Sequence, residues 1–383
     1  MILQLFIFVL LIFGVFHYSQ DYNNIRSNKK SHKSFVIYAM VLCALQSGLR
    51  NVAVGTDTFA YYQGFKTVYY SSWETIFNSF VLFVTTGAGK DPGYAILEKF
   101  FVSIILSYRV YLISIAVLFF CSLGRFLYKY TKSNYEVLVA IALYQCMYYS
   151  FFSVTGIRQT IATAFLLFAV PYVFERKLGK YMLLVILAAS QHKSALLFLP
   201  FYFLVNYKSP RSILLIAFLS YIPMLFLAGT LAKYLTSGTT FEQYAQYLEE
   251  NEKAGAYSFA MYMIFLSIFV FIKIKTLCSE STSNYVFVSA IAIALALTPL
   301  TMIDPNNMRV VQYYSIFGLL IVPKLCTVYS KTKRNKSVYI IIFAFLAVYT
   351  LLRNYPYAFC WQEMQLDDVY GASGTISDAD LKL

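Results

Sequence analysis

Apolar residues fall in this chain as long unbroken runs, not in the period-two alternation of a half-buried strand or the narrow stripe of a soluble amphipathic helix. The runs cover 1–18, 35–49, 109–124, 136–153, 158–175, 180–191, 194–206, 212–228, 258–272, 285–302, 310–323 and 338–352. A helical crossing of a bilayer needs roughly 20 mostly apolar residues. The pattern therefore predicts an all-α polytopic membrane protein with about 12 transmembrane helices, the count running from 11 to 13 with the reading of two stretches. Run 1–18 has no basic leading region and no small-x-small cleavage site, so it reads as a retained first span. Stretch 94–108 is short and carries Glu98 and Lys99, which predicts an amphipathic helix lying at the outer interface. Stretch 180–206 is too long for one ordinary crossing and is interrupted by Gln191, His192 and Lys193. It reads as two crossings or as a broken hairpin turning at His192. Residues 1–361 form a single transmembrane domain with a long outer loop, 50–108, after the second span. The remainder, 362–383, is polar and acidic and is expected to be a flexible tail.

Composition supports the same class: 59% of residues are hydrophobic, 19% aromatic and only 13% charged. An ordinary soluble domain carries about a quarter charged residues. A net charge of +13 would suit nucleic acid in a soluble protein; in a membrane protein it is first a topological signal, because Lys and Arg collect on the cytoplasmic side. With loop 19–34 placed inside and the spans alternating, 19 of the 31 basic residues and only 4 of the 18 acidic ones fall inside. That orientation puts both termini outside and removes nucleic acid as an expected partner. The six cysteines show no metal or disulfide spacing and read as small buried apolar residues.

Polar residues at membrane depth are costly, so each is a functional candidate, and four clusters gather at outer span ends. The first runs from Gly48 to Tyr62 and holds Arg50 and Asp57. Arg50 reads either as a snorkelling anchor or as a ligand for an anion. Asp57, between Thr56 and Thr58, reads either as an N-cap for a helix entering 59–65 or as an acceptor for a sugar hydroxyl proton. The second is Ser153-Val154-Thr155-Gly156-Ile157-Arg158-Gln159. Arg158 and Gln159 there open a helix whose free N–H groups and dipole favour an anion, and the Arg fork suits phosphate oxygens. In the third, Gln191-His192-Lys193-Ser194, an imidazole sits at a broken helix that should line a cavity, where it serves as base or diphosphate ligand, or is structural. The fourth, Asp304-Pro305-Asn306-Asn307-Met308-Arg309, repeats an Arg in a first helical turn. Asp304 pairs with Arg309 or caps the helix. Tyr313, one turn on, stacks on a sugar or joins an interfacial belt.

There is no Walker loop, no GxGxxG, no HExxH, no Gly-x-Ser-x-Gly and no metal-ligand spacing, so neither nucleotide hydrolysis nor metal hydrolysis is supported, and no cofactor is expected. An Arg-rich site with one Asp and one His suits a ligand bearing phosphate and hydroxyls.

At these residues the chain resembles the EpsG-type family of Wzy-like polysaccharide polymerases. The resemblance is carried by Gly48-Leu49-Arg50 with Val54-Gly55-Thr56-Asp57-Thr58 and Tyr61, by Asp91-Pro92-Gly93-Tyr94, by Ile157-Arg158-Gln159-Thr160-Ile161-Ala162, by Ala188 to Ala195, and by Arg309 with Tyr313 or Tyr314 before Pro323. It implies a metal-independent glycosyltransferase of O-antigen, capsule or exopolysaccharide synthesis, multi-pass in the bacterial inner membrane with a periplasmic active face. Donor and acceptor would be repeat units on undecaprenyl pyrophosphate, the growing glycan moving to the non-reducing end of a lipid-linked unit. A chain-length regulator is a further expected partner. In this reading Asp57, His192, Arg158 and Arg309 are catalytic, and Arg50, Arg158, Gln159, Lys193, Arg309 and Tyr313 bind diphosphate or sugar. Two rivals remain: an O-antigen-ligase-like transferase, and a flippase or transporter of lipid-linked sugar. The late outer loop at about 229–257 is modest for the ligase, and no internal repeat favours the flippase.

Overall fold

The computed structural model describes residues 2–18, 25–55, 57–86, 89, 91–206, 209–236, 256–330, 336–353, 355–366, 375–377, 379 and 381. The helices are α1 (Ile2–His17), α2 (Ile25–Gly48), α3 (Thr58–Tyr70), α4 (Trp73–Thr86), α5 (Pro92–Val102), α6 (Tyr108–Tyr130), α7 (Asn134–Met147), α8 (Ile157–Phe174), α9 (Leu178–Gln191) and α10 (Pro210–Thr236). They continue with α11 (Tyr257–Glu280), α12 (Ser283–Leu297), α13 (Leu300–Ile303), α14 (Met308–Ser315), α15 (Gly318–Tyr329) and α16 (Ser337–Leu352). A π-helical segment, Tyr149–Thr155, follows α7, and 3-10 helices occupy Lys193–Asn206 and Pro305–Asn307. Two short strands, β1 (Met364–Gln365) and β2 (Thr375–Ile376), pair antiparallel.

Five stretches are long and apolar enough to cross a bilayer: α6, α8, Pro210–Leu227 of α10, α11, and Ser283–Ile303. Two bent pairs raise the number to seven among the described residues. These are α7 with the π segment, bent by 69°, and Pro305–Ser315 with α15, bent by 57°. Shorter apolar helices add α1, α9, Lys193–Leu204 and α16. The chain is thus an all-α polytopic membrane protein. The late loop read at about 229–257 lies mostly outside the described residues.

Local sequence explains where several elements start. Ser107 caps α6, its hydroxyl accepting from the Val110 N–H. Ser133 caps α7 in the same way through Glu136 N–H, while the Glu136 carboxylate accepts from Lys132 N–H at 2.8 Å. Pro92 opens α5 at a position where its missing N–H costs nothing. The interfacial helix read at 94–108 is accordingly shifted and shorter. It starts two residues earlier, on Pro92, and stops at Val102, leaving 103–107 to end in the Ser107 cap. The outer loop before it contains two helices: α3, which starts after Asp57 where the N-cap reading placed a helix, and α4, which the sequence reading did not name.

The fold divides into two compact units. The first comprises Met1–Phe168, Ile186–Lys193 and Lys336–Leu383. In it α2 packs on α6, where Gly124 faces Met40 with no room for a Cβ, and α7 packs on α16. Around the start of α6, the rings of Phe59, Phe65, Tyr108 and Tyr111 form a core with Val52 and Ile157. The C-terminal segment closes over this core. Asn51 N–H donates to Ala358 O and Cys360 N–H to Leu49 O, both at 2.8 Å. The Asn51 side chain donates to Gln362 O and Ile376 O, at 2.7 and 2.8 Å. The tail expected to be flexible from residue 362 is therefore pinned at β1 and β2. Its few apolar residues, Leu366 and Ile376, have a core to enter that a linear reading does not reveal.

The second unit comprises Ala169–Val185 and Ser194–Asn335. Its centre is α12, packed by α10 and α11. Phe198, Phe201, Phe287 and Phe317 stack beside it, with ring centroids 4.5 to 5.5 Å apart between Phe198 and Phe201, Phe201 and Phe317, and Phe287 and Phe317.

One close approach in the first unit is testable. A Cβ on Gly93 would lie 2.7 Å from the Ser190 carbonyl oxygen, so the start of α5 lies directly against the end of α9. Gly93→Ala should destabilise the protein by about 1–3 kcal/mol, as overpacking does. Thermal unfolding in detergent checks this, and an unchanged midpoint would sink the idea.

Candidate functional site

The centre of the first unit's polar cluster is Asp91, at the N-cap of α5. Its backbone is left-handed, φ 41° and ψ 63°. Asp tolerates this region better than most residues. A residue before proline nevertheless prefers extended backbone, so the conformation costs about 1 kcal/mol or more. It turns the carboxylate away from its own helix, whose N–H groups it does not cap. Instead Oδ1 accepts from the Lys193 backbone N–H at 3.0 Å and Oδ2 from Arg158 Nη1 at 2.9 Å.

Arg158 lies in the first turn of α8, as its sequence context predicts. Its guanidinium sits over the rings of Tyr61 and Tyr94, 5.6 and 5.9 Å from their centroids, and Nε donates to the Tyr61 hydroxyl at 3.4 Å. Asp91 is the buried partner, with 7% of its side chain exposed against 25% for Arg158. The pair thus shows its positive half to the surroundings. Low water access strengthens such a charge toward an anion.

The backbone just before Arg158 needs unusual support. A π-helical segment leaves carbonyls without ordinary helical partners, and side chains from three helices and from Arg50 meet them. Thr160 donates to Phe152 O at 2.9 Å, Ser47 to Ser153 O at 3.0 Å, and Thr58 to Val154 O at 3.0 Å. Arg50 adds Nη2 to Val154 O at 3.2 Å, with Nη1 on Ser47 O at 2.6 Å. At 3% exposure, Arg50 is a buried brace on the backbone that carries Arg158.

The helix break read at His192 is present. α9 ends at Gln191, and the chain resumes at Lys193 as a 3-10 helix. His192 is buried, and the adjoining Lys193 N–H is the one Asp91 holds. Asp57 stands at the N-cap of α3 without a side-chain capping bond and is half-buried. It is one helical turn before Tyr61, on the same face. Gln159 is buried at 1% exposure. Tyr313 is also buried at 1%, within the second unit, with its hydroxyl 3.1 Å from that of Ser194. Arg309 belongs to the second unit too, half-buried in the first turn of α14. Asp304 caps the turn before it through Asn306 N–H at 2.9 Å.

The structure thus joins Arg158, which also holds Tyr61, to the Lys193 backbone through Asp91, a residue the sequence reading named within Asp91-Pro92-Gly93-Tyr94 but not as a site residue. The usable signal was an acid followed by Pro-Gly. Glu98 and Tyr94 were also missed as site residues. Glu98, on α5, is 3% exposed, and burial pushes its carboxyl up to about 8, opposed by Tyr94 and Arg158. Among the described residues no three His, Cys, Asp or Glu side chains group as metal ligands.

Breaking the pair from the acidic side should cost stability. Asp91→Ala removes both bonds and should lower stability by about 1–3 kcal/mol. Asp91→Asn keeps an acceptor for Lys193 N–H and should cost less. Equal unfolding midpoints for the two variants in detergent would contradict this division.

Neither a curated protein nor a solved structure matches the chain. A protein-family model does, over residues 32–365, which spans both units and every cluster above. The chain belongs to the EpsG family, a Wzy-like polymerase-type family.

Proposed function

We propose that this protein polymerises polysaccharide by joining oligosaccharide repeat units carried on undecaprenyl pyrophosphate. In this reading the chain has about 12 spans in the bacterial inner membrane and works at the periplasmic face. The growing glycan passes from its lipid diphosphate to the non-reducing end of a lipid-linked unit. The observation that carries the reading is Arg158: a partly open guanidinium at a helix N-terminus, fixed by buried Asp91 and flanked by two tyrosine rings. Cationic fork and helix dipole together suit a diphosphate, and aromatic rings suit sugar faces.

The chemistry needs three things of the protein. The bond from the donor's anomeric carbon to the diphosphate oxygen breaks, and a bond from that carbon to an acceptor hydroxyl oxygen forms. Arg158 stabilises the negative charge growing on the departing lipid diphosphate. The acceptor's proton goes to a carboxylate. Asp57, half-buried one helical turn before Tyr61, is the candidate for this role. His192 and Lys193, at the helix break, contact the leaving group. Arg309 is a second cationic candidate in its own unit. Arg50, Gln159 and Tyr313 are too enclosed to contact substrate in this conformation and serve as supports.

The test is genetic and chemical. In a strain lacking the chromosomal copy, Arg158→Ala should lower chain extension about 100-fold or more, the usual loss for a group stabilising transition-state charge. Arg158→Lys should keep part of the activity, having charge without a fork. Arg309→Ala is assayed separately and should also shorten the glycan. Single repeat units delivered to the surface mark lost polymerisation. Long chains held on the lipid would point to a ligase, and single units trapped in the inner leaflet to a flippase. Normal glycan length in Arg158→Ala would overturn the assignment.

A further inference from the structure

Behind the Arg158–Asp91 pair lies a second layer of polar groups that the reaction outlined above does not use. Glu98 is on the face of α5 that carries Asp91 and Tyr94. Its Oε1 is buried without a hydrogen-bond partner, and the nearby Tyr94 hydroxyl favours its ionised form. Groups from four elements gather around this spot, and α4 also packs on α5. Tyr94 comes from α5 itself, Tyr108 and Tyr111 from α6, and Arg158 from α8. From α3, Tyr61 meets Tyr94 edge to face, ring centroids 6.0 Å apart. Lys99, the neighbouring cation, points away: its ammonium donates to the carbonyls of Val68 and Tyr69 at 3.3 and 3.2 Å.

A buried carboxylate with an unbonded oxygen is costly, whereas a neutral carboxyl in the same place is not. Arg158 is near enough to favour the ionised form, yet it is bonded to Asp91 and not to Glu98. One carboxylate partner leaves the guanidinium attractive to an incoming anion; two would largely neutralise it.

We infer that Glu98 is a positioning residue which, while neutral, leaves the charge of Arg158 available to a diphosphate, and which withdraws that charge on ionising. The inference rests on the reading of Arg158 as a diphosphate ligand and adds a regulation of that site. The direction in pH follows from burial. The Glu98 carboxyl is raised to about 8, so it is neutral below that pH and charged above. Tyr94, held well above the ordinary phenol range by burial, stays neutral through this window. Diphosphate affinity should therefore be full at neutral pH and fall as pH rises through about 8.

The experiment uses the full chain in detergent micelles and farnesyl diphosphate as the probe. Binding is followed by calorimetry from neutral to alkaline pH. The wild type should lose affinity about tenfold on the alkaline side, the effect of one added negative charge near the guanidinium. Glu98→Gln, which imitates the neutral carboxyl, should hold its affinity over the same range. Tyr94→Phe removes a hydroxyl that favours the ionised form, so its loss should come at higher pH; this variant also serves if Glu98→Gln does not fold. A parallel alkaline loss in wild type and Glu98→Gln, or pH-independent binding in the wild type, would overturn the inference and leave the diphosphate reading intact. No binding at any pH would overturn both.

Discussion

The carboxylate of Asp91 organises the functional end of the first unit. One oxygen holds the Arg158 guanidinium, and the other holds the N–H of Lys193, just past the break in the α9 region. Three distant stretches of chain thereby converge on one side chain. The backbone accepts a left-handed residue before proline to achieve this. The cost of that conformation is offset by two charge-assisted bonds in a poorly hydrated setting, where such bonds are strong. Gly93 belongs to the same device, because only a residue without a Cβ lets α5 approach Ser190 so closely.

The supports around this pair follow from a rule of membrane interiors: a backbone carbonyl that leaves its helix must find another donor. The π-helical turn before Arg158 exposes several, and Ser47, Arg50, Thr58 and Thr160 supply them. Arg50 shows how a charged residue in a plausible functional motif can be spent on architecture. Its own backbone lies under the C-terminal segment, bridged to Phe359. The C-terminal segment and the helix break are thus tied into the same structure as the candidate site.

Membership of a polymerase-type family and the geometry of Arg158 are independent observations that fit the same chemistry. Transfer of a glycan from a lipid diphosphate asks chiefly for an oriented cation to take up leaving-group charge and for a carboxylate to take a proton. Both are available in the first unit, as Arg158 and Asp57. The buried carboxyl of Glu98 adds a means of setting how much positive charge Arg158 offers.

The sequence by itself determined the class of the protein and the position of its special helix ends. Unbroken apolar runs and scarce charge leave only lipid as solvent, and periodicity plus capping residues mark where helices start and stop. Arg158 and Arg309 in first turns and the break at His192 were legible because each is a local matter of a few neighbouring residues. The partner of Arg158 was not legible. Asp91 is 67 positions away in sequence, and nothing local distinguishes an acid that caps a helix from one turned outward by a left-handed backbone. The enclosure of Arg50 and Tyr313, the burial of Glu98 and the pinning of the tail also depend on packing between segments remote in sequence. Burial and pairing are properties of the assembled chain, and only the tertiary structure decided which polar residues keep their charge toward a ligand and which are consumed within the fold.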